Sequence, residues 1–241
     1  QSRGARAIVV PARALGHDLD AMLAAIQSDT RVVYVANPNN PTGTHLEGAL
    51  VEAFLARVPG EVVVVLDEAY NEYLPPERRV DSAQWVRRFP NLLISRTFSK
   101  AFGLAGLRVG YGIAQAELTD LLNRVRMPFN VSSVAQAAAV AALSDADFLA
   151  RSYELNLRGM RQLSEAFAEL GLESVPSYGN FILVKVGPAA RVFQELLRHG
   201  VIVRPVANYE LPEWLRVTIG LPEENETFLA ALPKALAAAR A

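Results

Sequence analysis

Three segments of this 241-residue sequence combine residue types able to do chemistry. The longest reads Ser95-Arg96-Thr97-Phe98-Ser99-Lys100, runs on through a small-residue stretch, and ends Gly106-Leu107-Arg108-Val109-Gly110-Tyr111. A primary amine flanked by hydroxyls, with a guanidinium a short loop further on, suits a phosphate-bearing aldehyde. The Lys100 amine can form a Schiff base, while Thr97, Ser99 and Arg108 can hold a phosphate dianion. The second segment, Asp67-Glu68-Ala69-Tyr70, follows the apolar run Val62-Val63-Val64-Val65-Leu66. A carboxylate emerging there is costly to desolvate unless a cation meets it. Asp is also a good helix N-cap, so this residue alone leaves both roles open. The third segment is Asn37-Pro38-Asn39-Asn40-Pro41-Thr42-Gly43-Thr44. Such residues make turns in many loops, but this one follows a strand pattern, and open α/β sheets bind ligands at the carboxyl ends of their strands. A lone lysine in a glycine-rich loop is usually a solvated lysine; three motifs in this order are far more specific.

The elements that must position these motifs follow from the hydrophobic pattern. Short β-branched runs at 7–10, 32–36, 62–66 and 92–95 alternate with helical spacing at 19–27 and 46–57. This alternation predicts an α/β fold, a mostly parallel sheet with helices on both faces. The run 62–66 lacks polar alternation and predicts a central strand buried on both sides. Beyond Tyr111 the pattern predicts helices over 131–143 and 146–170, the second ended by Gly171. Strands at 181–186, 201–204 and 215–219 follow, with helices at 189–198 and 226–240 covering one face. The expected organisation is a large domain over 1–145, a connecting helix over 146–170 and a smaller α+β domain over 171–241.

Composition narrows the partners. Hydrophobic residues make up 51% and the net charge is −1, which excludes an intrinsically disordered chain. Lys and Arg are scattered, so the basic footprint of a nucleic-acid binder is missing. The apolar runs fall far short of the roughly 18 residues of a spanning helix. No cysteine and three dispersed histidines argue against a metal site. His17, His45 and His199 read as surface or cap residues. Arg78-Arg79 and Arg87-Arg88 read as solvated faces, and Trp85 and Trp214 as packing residues. The sequence opens at Gln1 and runs at once into the strand-like 7–10, as the middle of a domain would.

Taken together, Asn40-Pro41-Thr42-Gly43, Asp67-Glu68-Ala69-Tyr70, and Ser99-Lys100 followed by Gly106-Leu107-Arg108-Val109-Gly110-Tyr111 resemble the fold type I pyridoxal-phosphate aminotransferases of the aspartate aminotransferase superfamily. The full loop from Asn37 to Thr44, with Ser177-Tyr178-Gly179-Asn180-Phe181, Val203-Arg204-Pro205 and Leu215-Arg216-Val217-Thr218-Ile219-Gly220, resembles the histidinol-phosphate branch of that family. The resemblance implies pyridoxal 5′-phosphate as cofactor. It implies Lys100 as the Schiff-base lysine and proton carrier, Asp67 facing the pyridine nitrogen, Asn40 and Tyr70 on the 3′-oxygen, and Thr97, Ser99 and Arg108 around the phosphate. A cis peptide bond before Pro41 is within the family's range. Arg216 would pair with a substrate carboxylate, Arg204 would add an anion contact, and Asn180 would be a polar neighbour.

The implied reaction is transamination between L-histidinol phosphate and 2-oxoglutarate in histidine biosynthesis, by a cytoplasmic homodimer with shared active sites. The same motifs also suit a threonine-phosphate decarboxylase or an aromatic amino-acid aminotransferase. In a different class, the fold serves as a non-catalytic cofactor-sensing module beside a DNA-binding domain. The resemblance further implies that the family's N-terminal part, with its glycine loop, stacking aromatic and partner-donated tyrosine, lies outside this sequence. Glu210, in Asn208-Tyr209-Glu210-Leu211-Pro212, stands where relatives often have glycine.

Overall fold

The computed structural model describes residues 4–240. Its contacts divide the chain into two units. One comprises the residues up to Asn37, His45–Ala69 and Pro75–Val140; the other comprises Pro38–Thr44, Tyr70–Leu74 and the chain from Ala141 onward.

The first unit is built on strands β1 (Val32–Ala36), β2 (Val63–Asp67), β3 (Leu92–Thr97) and β4 (Gly110–Ile113), which lie in that order. β1, β2 and β3 are parallel, and β4 runs antiparallel to β3. Side chains alternate between the two faces with period two. Val33, Val35, Val64, Leu66, Leu92 and Ile94 form a buried face. Against it pack Val51, Phe54 and Leu55 of helix α2 (Gly48–Leu55), Trp85 and Val86 of a 3₁₀ segment, and Leu19, Met22 and Leu23 of helix α1 (Leu19–Ala24). Tyr34, Ala36, Val65, Asp67, Ser95 and Thr97 lie on the opposite face, half-buried or exposed. The valine run is therefore fully buried on one side only, not on both. Valine suits the pleat for its branching as well as its hydrophobicity, so composition alone does not report two-sided burial.

Residues 7–10 form no strand, contrary to expectation. Val9 is 84% exposed, and a β-branched run without a partner has nothing to satisfy its backbone groups. Helix α3 (Ala116–Val125) was not evident in the sequence; it is amphipathic but has no buried residue. Helix α4 (Ser133–Leu143) follows.

The second unit carries an antiparallel sheet in the order β5 (Ser174–Val175), β6 (Phe181–Lys185), β8 (Leu211–Thr218), β7 (Arg204–Val206). Ile182, Val184, Leu215 and Val217 face a core filled by helices α5 (Ala146–Glu169), α6 (Ala189–Arg198) and α7 (Pro222–Arg240), through Leu163, Phe167, Val192, Leu196, Phe228 and Leu232. Asp145 caps α5, its side chain accepting from Phe148 N at 2.9 Å. Gly171, at φ +66°, turns the chain out of that helix, and Leu172 N donates back to Phe167 O at 2.8 Å.

The strand expected at 201–204 begins only at Arg204 and continues through Pro205 to Val206, with a register shift between those two. It is an edge strand, the position where a proline without an N–H is tolerated. Before β8, Glu210 adopts the left-handed conformation at φ 62° and is exposed. That backbone costs an L-residue about 1–2 kcal/mol relative to glycine, partly offset by glycine's greater unfolded entropy. Glu210→Gly is expected to raise the unfolding free energy by about 0.5–1 kcal/mol in urea titrations.

Candidate functional site

On the first unit, the parallel register places Ala36, Asp67 and Ser95 side by side at the carboxyl ends of β1, β2 and β3. Asn37 N donates to Asp67 O at 2.9 Å. The Asn37 side chain then fastens Leu46 through both of that residue's backbone groups, closing the base of the loop between β1 and α2. Asp67 points to the open face. Its Oδ1 accepts from Ala69 N at 3.0 Å, and its Oδ2 accepts the Tyr34 hydroxyl.

The next residue, Glu68, turns into the protein and is 4% exposed. Arg96 Nε and Nη2 each reach Glu68 Oε2 at 2.8 Å, and Nη2 also donates to Ser82 Oγ at 3.2 Å. Burial disfavours the guanidinium charge, but Glu68 and then the Tyr111 hydroxyl outweigh it, so Arg96 holds its proton more tightly than an exposed arginine does. Glu68→Gln leaves a partly buried arginine short of its counter-charge and is expected to cost about 3 kcal/mol of stability. The double replacement Glu68→Gln with Arg96→Met is expected to recover much of that loss; thermal unfolding of the three variants checks both outcomes.

Lys100 is exposed at the tip of the turn after β3. Buried Phe98, Ala101 and Phe102 anchor the turn, with the rings of Phe98 and Phe102 at 4.9 Å and those of Phe98 and Tyr111 at 5.6 Å. Two backbone bonds of 2.9 Å, Gly103 N to Lys100 O and Leu104 N to Phe98 O, close it. Thr97 Oγ1 accepts Ser99 N at 3.0 Å. Arg108, in the left-handed conformation at φ 53°, directs Nη1 to Ala105 O at 2.7 Å and to Ser99 Oγ at 3.4 Å. Ser99 and Arg108 thus present a hydroxyl and a guanidinium side by side, the donor set a phosphate takes.

On the second unit, the loop 38–44 is tied by Asn39 N to Thr44 O and by Asn39 Nδ2 to Thr42 Oγ1, both 2.8 Å. Its Asn40–Pro41 peptide is cis. Gly43 is irreplaceable on steric grounds: at φ +76°, a Cβ there would stand 2.1 Å from Ser177 Oγ. Gly43 O also accepts Tyr178 N at 2.8 Å, which docks the loop onto the segment leading to β6. Asn40 Oδ1 accepts Arg216 Nη1 at 2.6 Å. The Arg216 guanidinium lies 5.0 Å over the Phe181 ring, and buried Tyr70 meets the same ring edge-on at 5.2 Å. Arg216 Nε is buried without a hydrogen-bond partner, an unspent donor.

Arg204 stands directly opposite Arg216 across the β7–β8 pair, and both line a groove of about 490 Å³ with Phe193, Val203, Pro205 and Thr218. Like charges facing each other across a sheet are destabilising unless an anion lies between them. Asn180 precedes β6, and its carbonyl accepts Ile219 N at 2.9 Å. Asn156, buried on α5, pins the neighbouring Gly179 O at 3.1 Å.

The sequence-predicted residues thus fall into two clusters. Asp67, Thr97, Ser99, Lys100 and Arg108 belong to the first unit, and Asn40, Tyr70, Asn180, Arg204 and Arg216 to the second. Three participants went unrecognised in the sequence: Tyr34 on Asp67, Phe181 as the platform under Arg216, and Asn156 behind the Asn180 segment. Period-two alternation in β1 does put Tyr34 on the face opposite Val33 and Val35, but the register that aims it at Asp67 is a tertiary fact.

His17 is half-buried rather than fully at the surface, just before the α1 N-cap Asp18, with Nε2 at 3.1 Å from Ala36 O, and burial lowers its pKa despite that bond. Arg78 and Arg88 are solvated as expected, but each pairs with a carboxylate, Glu47 and Glu52 respectively. Trp85 and Trp214 are buried. Among the described residues no group of three or more His, Cys, Asp or Glu side chains could hold a metal ion.

The class of protein follows from comparison with known families. The aminotransferase class I and II family matches residues 1–232, and the chain belongs to it. It is 69% identical over its whole length to histidinol-phosphate aminotransferase 2 of Ralstonia nicotianae, of which it covers 66%. It is also 69% identical, over 98% of its length, to histidinol-phosphate aminotransferase 1 of Cupriavidus pinatubonensis, of which it covers 64%. The chain therefore spans about two thirds of the length of these curated relatives. Among solved structures, the histidinol-phosphate aminotransferase of Sinorhizobium meliloti, in complex with pyridoxal 5′-phosphate, superimposes with a TM-score of 0.90 at 32% identity, covering 97% of this chain and 65% of the other.

Proposed function

We propose that the protein carrying this chain is a pyridoxal 5′-phosphate-dependent aminotransferase that moves the amino group of L-histidinol phosphate to 2-oxoglutarate in histidine biosynthesis. The observation that carries the reading is Arg216: oriented by Asn40, stacked on Phe181, holding an unspent buried donor, and faced by a second arginine. A site that must accept a phosphate in one half-reaction and a carboxylate in the other needs planar, permanently charged donors of this kind. The names and identities of the relatives support the same substrate.

The donor set fits the cofactor. Ser99 and Arg108 suit its phosphate, the Asp67 carboxylate suits a protonated ring nitrogen, and Lys100 suits its aldehyde. The chemistry supplied on binding is an aldehyde that captures an amine and a ring that accepts the electron pair released at the substrate Cα. The Lys100 amine would hold the aldehyde at rest and, once displaced by substrate, would move the proton at Cα. Asp67 would keep the proton on the ring nitrogen. Asn40 and Tyr70 would orient the 3′-oxygen, and Thr97, Ser99 and Arg108 would fix the phosphate. Arg216 would take the carboxylate of glutamate, Arg204 would join it on the phosphate of histidinol phosphate, and Asn180 would be a polar neighbour.

The resemblance also supports a cytoplasmic homodimer. Met127 is 74% exposed and Phe129 fully so, apolar surface of the kind a partner subunit covers. Among the described residues no helix is long and apolar enough to cross a membrane.

The test is to supply the full-length protein with histidinol phosphate, threonine phosphate or phenylalanine, each with 2-oxoglutarate, and to measure glutamate and CO₂. The expected result is glutamate formation with kcat/KM at least tenfold higher for histidinol phosphate, without CO₂. Release of CO₂, or a preference for either other donor, would contradict it.

A further inference from the structure

Tyr34 sits on β1 in register with Val65, two residues short of Asp67 on the neighbouring strand, and therefore on the same sheet face as Asp67. A diagonal neighbour on a shared face is within reach of an aromatic side chain. The Tyr34 hydroxyl does reach Asp67 Oδ2, while Ala69 N holds Oδ1. Tyr34 is 53% exposed, so water was available to its hydroxyl, yet the phenol donates to the carboxylate. Partial burial and the Asp67 charge both push the phenol's pKa above its ordinary value, keeping it a donor at neutral pH.

We infer that Tyr34 is a positioning residue for Asp67: with one donor on each oxygen, the carboxylate plane cannot turn about its Cβ–Cγ bond, and the carboxylate stays ionised toward the cofactor ring nitrogen. This rests on the proposed cofactor. A neutral donor suits the task better than an arginine would. A cation on Asp67 would cancel the charge that must face the ring nitrogen, whereas a hydroxyl stabilises the ionised form and leaves its net charge in place. The remaining lone pairs of Asp67 are left for the ring N–H. Without Tyr34, the proton between ring nitrogen and carboxylate moves toward the carboxylate, because the ionised oxygen has lost a donor.

Two measurements on the full-length protein test this. In the cofactor-free protein, the Tyr34 phenol is followed by ultraviolet difference titration against Tyr34→Phe, in wild-type and Asp67→Asn backgrounds. Loss of the carboxylate is expected to lower its midpoint by about one pH unit; an unchanged midpoint would overturn the contact. In the holoenzyme, ¹⁵N-labelled pyridoxal phosphate is bound to wild type and to Tyr34→Phe. The ring-nitrogen resonance is expected to lie in the pyridinium range in wild type and to move toward neutral pyridine in the variant. The variant's kcat is expected to fall about tenfold with an unchanged KM for the amino donor. An unmoved resonance overturns the positioning role even where activity falls. A wild-type protein that binds no labelled cofactor overturns the functional reading as well, and the phenol titration, independent of cofactor, separates the two failures.

Discussion

Lys100→Ala is expected to lower kcat of the full-length enzyme by about 10⁴-fold or more, with the cofactor then held only by its phosphate and ring contacts. The estimate follows from the two tasks assigned to one amine. A positioned acid–base group contributes about 10²–10⁴-fold, and the covalent hold on the aldehyde adds preorganisation that no other side chain on the turn can replace. Neither neighbour can substitute. Ser99 accepts from Arg108, and the Thr97 oxygen is engaged by Ser99 N. Phe98, Ala101 and Phe102 anchor the turn whichever residue stands at its tip, so the variant is expected to fold. Single-turnover transfer from amino donor to bound cofactor is the measurement. Retention of activity within tenfold of wild type would remove Lys100 from the reaction.

Asp67→Asn carries the second large effect, an expected 10²–10³-fold loss in kcat, the scale of removing one preorganised electrostatic partner from a developing charge. The amide is close in shape and can still accept from Ala69 N or Tyr34, so the lesion is electrostatic rather than steric. A neutral amide does not hold a proton on the ring nitrogen, and the ring becomes a poorer electron acceptor. Restoring the charge one methylene further out, in Asp67→Glu, is expected to recover part of the rate. Parallel measurement of kcat in the three proteins checks the order wild type, Glu, Asn; an Asn variant as active as wild type would show that the Asp67 charge is not used.

Much of the site was legible because its chemistry is local in sequence. Ser99 and Lys100 share a turn, Asp67 ends a recognisable strand, and Asn40 sits in a loop whose Asn, Pro and Gly residues announce themselves. The strands at 32–36 and 92–95 were placed by β-branched and apolar runs, the second extending to Thr97 in the structure, and α6 by its 3.6-residue periodicity. What escaped was set by partners distant in sequence. Residues 7–10 have strand composition but meet no partner strand among the described residues. β7 starts late because Gly200, at φ +74°, ends α6, and the chain runs unpaired from 201 to 203 before meeting β8. The bond between Asn40 and Arg216 joins residues 176 positions apart, and no local pattern encodes it. Tyr34 escaped for the same reason, since parallel register is chosen by the buried face, from which Tyr34 is excluded.

The sequence contains three lysines, Lys100, Lys185 and Lys234, and only Lys100 is given a covalent role. Lys185 pairs with Glu213 at 3.4 Å, and Lys234 lies on α7. Borohydride reduction of the full-length protein after incubation with pyridoxal phosphate makes the lysine linkage permanent, so intact mass followed by peptide mapping locates it. A single reduced-cofactor adduct on the peptide carrying Lys100, absent from Lys100→Ala, is the predicted result. No adduct, or an adduct distributed over other lysines, would contradict the assignment of this chain's central turn.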